Sequence, residues 1–267
     1  MSTELEAYSV VAYNTARDSE NKIHDNTVAR RFGFSGGLVP GVDVYAYMAH
    51  LPVARWGRDF LQHGSLQARF LKPVYDGKTA IVSAADANGG LDIAVKSRDE
   101  LCATGHAAMT RTPAPALDTF EETAAVTERA PADGASLRVG RRLGIKPLRI
   151  TAEWAARYVA DVRERDPLYL REGLSHPGQL PRLFNWALTH NVVLGPWIHV
   201  SSKTDHFAAV RVGDTLTVRA KVTANYDRKG HRFVDLDGLV VANATTPIAR
   251  IAHTAIYRPR AVRGASP

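Results

Sequence analysis

The stretch "NKIHDNTVARRFGFSGGLVPG", residues 21–41, crowds several chemistry-bearing groups into one short segment. His24 has the side chain whose ordinary pKa lies nearest neutrality, which makes it a candidate general acid or base. Asn21 stands three positions before it. Gly33, Gly36, Gly37 and Gly41 follow, and an apolar segment, "VDVYAYMAHLPVARW", starts directly after Gly41. A helix beginning there would present free N–H groups and a partial positive charge. Glycines would let a ligand approach that backbone closely. Each residue also has a plainer reading: His24 as a hydrogen-bonded loop residue, Asn21 as the cap of the next helical piece, and Gly36–Gly37 as a turn.

Other patterns exclude more than they offer. "GFSGG" fits G-x-S-x-G around Ser35, but a nucleophile elbow needs a strand before it, and "NTVARRF" reads as helical. The ten histidines show no H-x-x-x-H or HExxH spacing, and Cys102 is the single cysteine, so neither a metal site nor an intrachain disulfide is expected. GxGxxG and Walker sequences are missing. The formal net charge of +7 is scattered, with no run of five or six like charges, so no nucleic-acid partner is expected. Residues 36–57 are apolar but broken by Pro40, Asp43, His50 and Pro52, which argues against a membrane span. Glu4 and Glu6 stand where a signal peptide would carry lysines. With one cysteine, this points to a cytoplasmic protein.

Elements must position the segment, and the chain supplies them twice. Residues 112–145 are rich in Ala, Pro, Thr and charge without a sustained period, and read as a connector. On either side a Pro-Gly opens an apolar helix: "VPGVDVYAYMAHL" and "HPGQLPRLFNWALTHNVVL". Then "LQARFLKPVYDGKTAIVSAA" and "SKTDHFAAVRVGDTLTVRAKV" each run from a Phe through a Gly turn into an alternating strand. Gly178 minus Gly41 is 137 and Gly213 minus Gly77 is 136, an offset expected of a duplicated unit. The expected order within a unit is strand, helical piece, glycine loop, long helix, then several strands. Successive strands with short turns predict an antiparallel sheet wrapped round the long helix. The expectation is an α+β fold with unit 1 at 1–111, connector 112–145, unit 2 at 146–260 and a tail at 261–267.

This pattern resembles the double hotdog fold. The segment "SENKIH", "DNTVARR", "GFSGGLVPG" resembles the motif of (R)-specific enoyl-CoA hydratases and MaoC-like dehydratases, which runs roughly Asp-x-Asn-Pro-Ile/Leu-His, a helical piece, Gly-Phe, a small-residue loop, and Pro-Gly or His-Gly. Asn21, His24, Gly33, Phe34, Pro40 and Gly41 match. Ser19 stands where the family has its catalytic Asp, with Asp18 and Glu20 flanking it, and Lys22 replaces the Pro. The resemblance implies that His24 activates water and that Asn21 helps to fix it; Ser19 marks the acid's place, and a register shift could let Asp18 or Glu20 substitute. The loop at Gly36, Gly37 and Gly41 would bind substrate, with an N–H near Gly41 holding the thioester oxygen. Arg69 and Lys72 are candidates for coenzyme A phosphates; a solvated face is the plainer reading of both.

In the second half "ERDPLYLREGLSHPG" puts Glu164, Asp166 and Tyr169 at the places of Ser19, Asn21 and His24, as in a non-catalytic copy. The expected function is hydration of a 2-enoyl thioester or its reverse. The thioester's carrier is coenzyme A or acyl carrier protein; no other cofactor is expected. The expected partner is an acyl-CoA-type small molecule, and a homodimer is compatible with the fold. The alternatives are a non-catalytic acyl-thioester-binding hotdog or partner subunit, and a thioesterase using Asp43 on the long helix. Asn185, Trp186 and His190 read as packing groups.

Overall fold

Alternating strands and one apolar helix in each half assemble into a single wrapped sheet. The computed structural model describes residues 5–260; the expected tail at 261–267 lies outside the described residues. The first half runs β1 (Tyr8–Val11), α1 (Asn26–Arg31), α2 (Gly41–His63), β2 (Gly64–Phe70), β3 (Thr79–Ala87), β4 (Gly90–Ser97) and β5 (Glu100–Met109). Next come three two-residue strands, β6 (Ala130–Pro131), β7 (Arg142–Leu143) and β8 (Leu148–Arg149). The second half continues with α3 (Ala152–Asp161), α4 (Leu168–Glu172), α5 (Gln179–Thr189), β9 (Val192–Val193), β10 (Ile198–His206), β11 (Thr215–Arg228), β12 (His231–Ala242) and β13 (Thr246–Arg258).

The main sheet has the order β1-β3-β4-β5-β2-β10-β13-β12-β11, with β7 and β8 on the outer side of β11. The halves mirror each other: β1 pairs β3 as β8 pairs β11, and β2 and β10 join antiparallel at the middle, Arg69 opposite Ser201 and Ser65 opposite Asp205. The duplication extends to single bonds. The isolated bridge Leu38–Tyr75 recurs as Leu174–Arg211, each residue displaced by 136 (174 − 38, 211 − 75). Val39 N–H donates to Val74 O as Ser175 N–H does to Val210 O, both at 2.9 Å. Gly77 (φ 70°) and Gly213 (φ 101°) end the same turn in the left-handed region, which glycine enters without steric cost.

Helix α2 is buried nearly all round from Val42 to Val53, as the centre of a wrapped sheet must be. Pro52 lies within it, and it breaks at Gly57 (φ 58°, ψ −144°). Helix α5 plays the same part in the second core, with Leu180, Leu183, Phe184, Ala187 and Leu188 buried. Among the described residues, no helix is long and apolar enough to cross a membrane.

Two features depart from the expected organisation. The segment 112–145 is not all linker: β6 pairs β9, β7 pairs β11, and Leu137, Leu143 and Ile145 are buried in the second core. Its Ala, Thr and charged residues hid these few apolar anchors. In addition, the second half opens on the two-residue strand β8 followed by helix α3, rather than on a strand of β1's length. Tyr158, Val159, Val162, Leu168 and Tyr169, from α3 to α4, bury themselves in the first half's core. The motif-bearing segment of one half thus docks on the other, so a site built from it lies between units.

Candidate active site

His24 is held from three sides. Asn14, after β1, donates from Nδ2 to the His24 carbonyl at 2.9 Å. One 3-10 turn, Lys22–His24, carries the imidazole, with Asn21 as its cap. The Asn21 amide does more than cap. Its Oδ1 accepts from Ile23 N–H (3.3 Å) and Trp197 N–H (3.2 Å), and its Nδ2 donates to Trp197 O (3.0 Å). The side chain pairs with both backbone groups of Trp197 as a neighbouring strand would, which fixes which end is oxygen.

The tautomer of His24 follows. Nδ1 lies 2.8 Å from Leu38 O, which can only accept, so Nδ1 carries the proton. Nε2 is left unprotonated and accepts a long hydrogen bond from Asn21 Nδ2–H at 3.3 Å. Burial lowers the imidazole's pKa, and nearby Arg182 adds to this; the Leu38 carbonyl and Asp43 oppose it without reversing it. The result is a neutral imidazole with a basic Nε2.

Two open arms adjoin at this imidazole, and Asn21, His24, Pro40, Asn185 and Trp197 line both. The polar arm, about 310 Å³, runs past Ser19, Glu20, Arg129, Arg182 and His190. The apolar arm, about 290 Å³, runs past Val39, Gly41, Phe70, Val200, Phe233 and Ile256. Helix α2 begins on the apolar arm. Asp43 and Val44 N–H both donate to Pro40 O, which leaves Gly41 and Val42 N–H without an acceptor among the described residues.

The expected site residues separate. His24, Asn21 and Ser19 come together, Ser19 on the polar arm with Oγ 3.4 Å from Asn21 O. Gly41 lines the apolar arm. Lys72 also lines it, but its ammonium is bonded to Glu100 at 2.6 Å. Asp18 is exposed and lines neither arm, so it does not replace the missing acid. Glu20 reaches the polar arm, where Arg129 at 2.9 Å holds its carboxyl below the ordinary range. Gly36 and Gly37 line neither arm and serve packing: a Cβ at Gly37 would overlap the His24 carbonyl oxygen, and one at Gly36 would press on Asn26 Oδ1. Arg69 points outward from β2 and lines neither arm. Asp43 is fully buried, bonded at 2.6 Å to both Arg182 and Thr15, and lines neither arm.

Reading the sequence alone missed which residues outside the first unit shape the cleft. Asn185, Trp186 and His190 wall the cleft instead of only packing, and Trp197, Arg129 and Arg182 join them. A polar Asn185 among the apolar positions of α5 was the available signal. The matching place in the other half is the opposite of the site: Tyr169 is fully buried against His176, and the pocket beside His176 holds only about 10 Å³, too little for a ligand.

No family model and no curated protein matches this chain. Solved structures do match over nearly the whole length. A MaoC domain protein dehydratase from Chloroflexus aurantiacus is 12% identical with a TM-score of 0.60, covering 96% of this chain and 95% of its own. A conserved double-hotdog protein of Mycobacterium tuberculosis, described as essential for bacterial survival during infection, is 15% identical with a TM-score of 0.58 and 96% coverage of both chains. A MaoC-like dehydratase is 13% identical at 0.56, covering 94% and 97%. At these identities the likeness is one of architecture: the chain has the double hotdog fold, with its cleft where the two units meet.

Proposed function

We propose that the chain is a hydratase/dehydratase of 2-enoyl thioesters. The acyl group occupies the apolar arm, the thioester carbonyl sits at the start of α2, and the carrier, coenzyme A or acyl carrier protein, leaves through the polar arm. His24 Nε2 takes a proton from water at the junction while the water oxygen bonds to Cβ. The displaced π pair moves onto the carbonyl oxygen, where the free Gly41 and Val42 N–H groups meet the developing charge. The imidazolium then gives its proton to Cα as the enolate collapses. The reverse sequence expels water. Ser19 brings no carboxylate, so in this reading one imidazole makes both transfers.

The observation that carries the reading is a neutral imidazole with its basic nitrogen at the junction of two open arms beside free helix N–H groups. The buried, doubly bonded Asp43 has no path to a bound thioester, which weighs against hydrolysis by a helix carboxylate. The test is turnover of short, long, branched and ring-bearing 2-enoyl and 3-hydroxyacyl thioesters, followed by enoyl absorbance. His24→Ala lowers kcat/KM by about 10²-fold or more, with little change in melting temperature. A wild type that turns over none of them overturns the reading. Binding without turnover would put an acyl-thioester-binding module in its place.

A further inference from the structure

The junction holds few polar groups with unspent hydrogen-bonding capacity. The Asn21 amide is committed to Trp197, Ile23 and His24, and His24 Nδ1 to Leu38. Asn185, on α5 of the opposite unit, has no hydrogen-bond partner among the described residues, yet it lines both arms. Its Oδ1 is the buried, unpartnered end, which leaves the NH₂ turned to the cavity. The flipped amide would bury two unmet N–H donors in place of one unmet oxygen, the worse arrangement. The Trp197 indole N–H is also unpartnered, but it is shut away from the cavity surface. The junction therefore presents His24 Nε2 from one unit, its lone pair met only by the long 3.3 Å contact from Asn21 Nδ2, and an amide donor on Asn185 from the other.

We propose that Asn185 is a catalytic residue: its Nδ2–H donates to the thioester carbonyl oxygen and, with the start of α2, holds the negative charge that develops there. The inference rests on the hydratase reading. It assigns a task to the second unit that its own degenerate motif, with Tyr169 in place of a histidine, does not perform. It also explains an otherwise costly choice. A buried, unpartnered carbonyl oxygen on a core helix lowers stability, and a leucine of similar size would avoid that cost. A group kept against stability is expected where function uses it.

Asn185→Leu is the test. A donor to a developing oxyanion is worth about 10²-fold in kcat, so kcat falls by about that factor, KM changes little, and the melting temperature holds or rises. A packing role predicts the reverse: a lower melting temperature with kcat kept. A second readout needs no turnover. A dienoyl-CoA bound to His24→Ala absorbs at longer wavelength when its carbonyl is polarised, and adding Asn185→Leu abolishes that red shift. An active wild type whose Asn185→Leu variant keeps kcat within threefold overturns the role of Asn185 and leaves the hydratase reading standing. An inactive wild type that still binds dienoyl-CoA with an Asn185-dependent shift overturns the hydratase reading and keeps the carbonyl contact. An inactive wild type without that shift overturns both.

Discussion

Asn21 and His24 act as one group because the amide that orients the imidazole is itself clamped by Trp197. Its two ends do different work, so replacing one matters. In Asn21→Asp the end facing Trp197 O becomes a second acceptor with no proton to share, which costs about 1–3 kcal/mol for the unmet pair. The new carboxylate also lies beside His24 Nε2 and favours the imidazolium, raising a pKa that burial now lowers. In the proposed reaction His24 serves as a base only when neutral, so the acid limb of the pH–rate profile moves to higher pH; a profile on the variant checks this. Asn21 and His24 were legible in the sequence because they sit three residues apart in one motif. Asn185 and Trp197 were not, because they lie more than 160 positions away and reach the site only when α5 and β10 fold across it. The rejection of Asp18 as an acid likewise required knowing which side chains on one short loop turn inward.

The loop between α1 and α2 shows how the elements set the site. Its glycines were expected to receive a ligand; Gly37 instead lets the loop lie against the His24 backbone, with its N–H bonded to Asn26 Oδ1 at 2.7 Å. Gly37→Ala must push the turn that carries His24, which costs about 1–3 kcal/mol and lowers activity by more than that stability loss explains. Gly213→Ala is the control: nothing lies within 4 Å of its added Cβ, so only the left-handed backbone is strained, by about 1–2 kcal/mol, and activity is kept. Thermal melts alongside turnover separate the two. The strands of both halves were readable because alternation is a local signal and the sheet buries one face. Helix α3 was missed despite Ala155, Tyr158, Val159 and Val162 at helical spacing and a Thr151 cap, because the expected duplication called for a strand there. The two halves share β-topology, turns and a central helix but not the segments leading to that helix, and it is those segments that leave one cleft open and the other filled.

At the scale of the whole molecule, the filled half supplies the joint. Glu164, at the place of Ser19 in the other copy, is buried and accepts from His50 Nδ1 at 2.8 Å and His176 Nε2 at 3.3 Å. Arg165 and Asp166 N–H, both at 2.7 Å, complete its shell. His176 Nδ1 accepts from Gly178 N–H, so Nε2 is the end that carries a proton toward the carboxylate. His50 belongs to α2 of the first unit and His176 precedes α5 of the second, so this one carboxylate ties the two central helices together. Burial alone would raise its pKa; the bonds from His176 and His50 outweigh it and hold the carboxyl well below the ordinary range. A folded pKa below the unfolded one stabilises the protein above the ordinary carboxylate value, and that contribution fades as pH falls through this value toward the folded one. Denaturant melts should therefore weaken progressively below about pH 4.5, the acid side of an ordinary glutamate. Glu164→Gln keeps the shape but places an NH₂ among four N–H donors. It costs about 3 kcal/mol at pH 7 and flattens the acid dependence. A Gln variant with wild-type stability at pH 7 and an unchanged acid slope would show that the joint lies elsewhere. The expected pattern would show that this one buried carboxylate of the filled half holds the two central helices together.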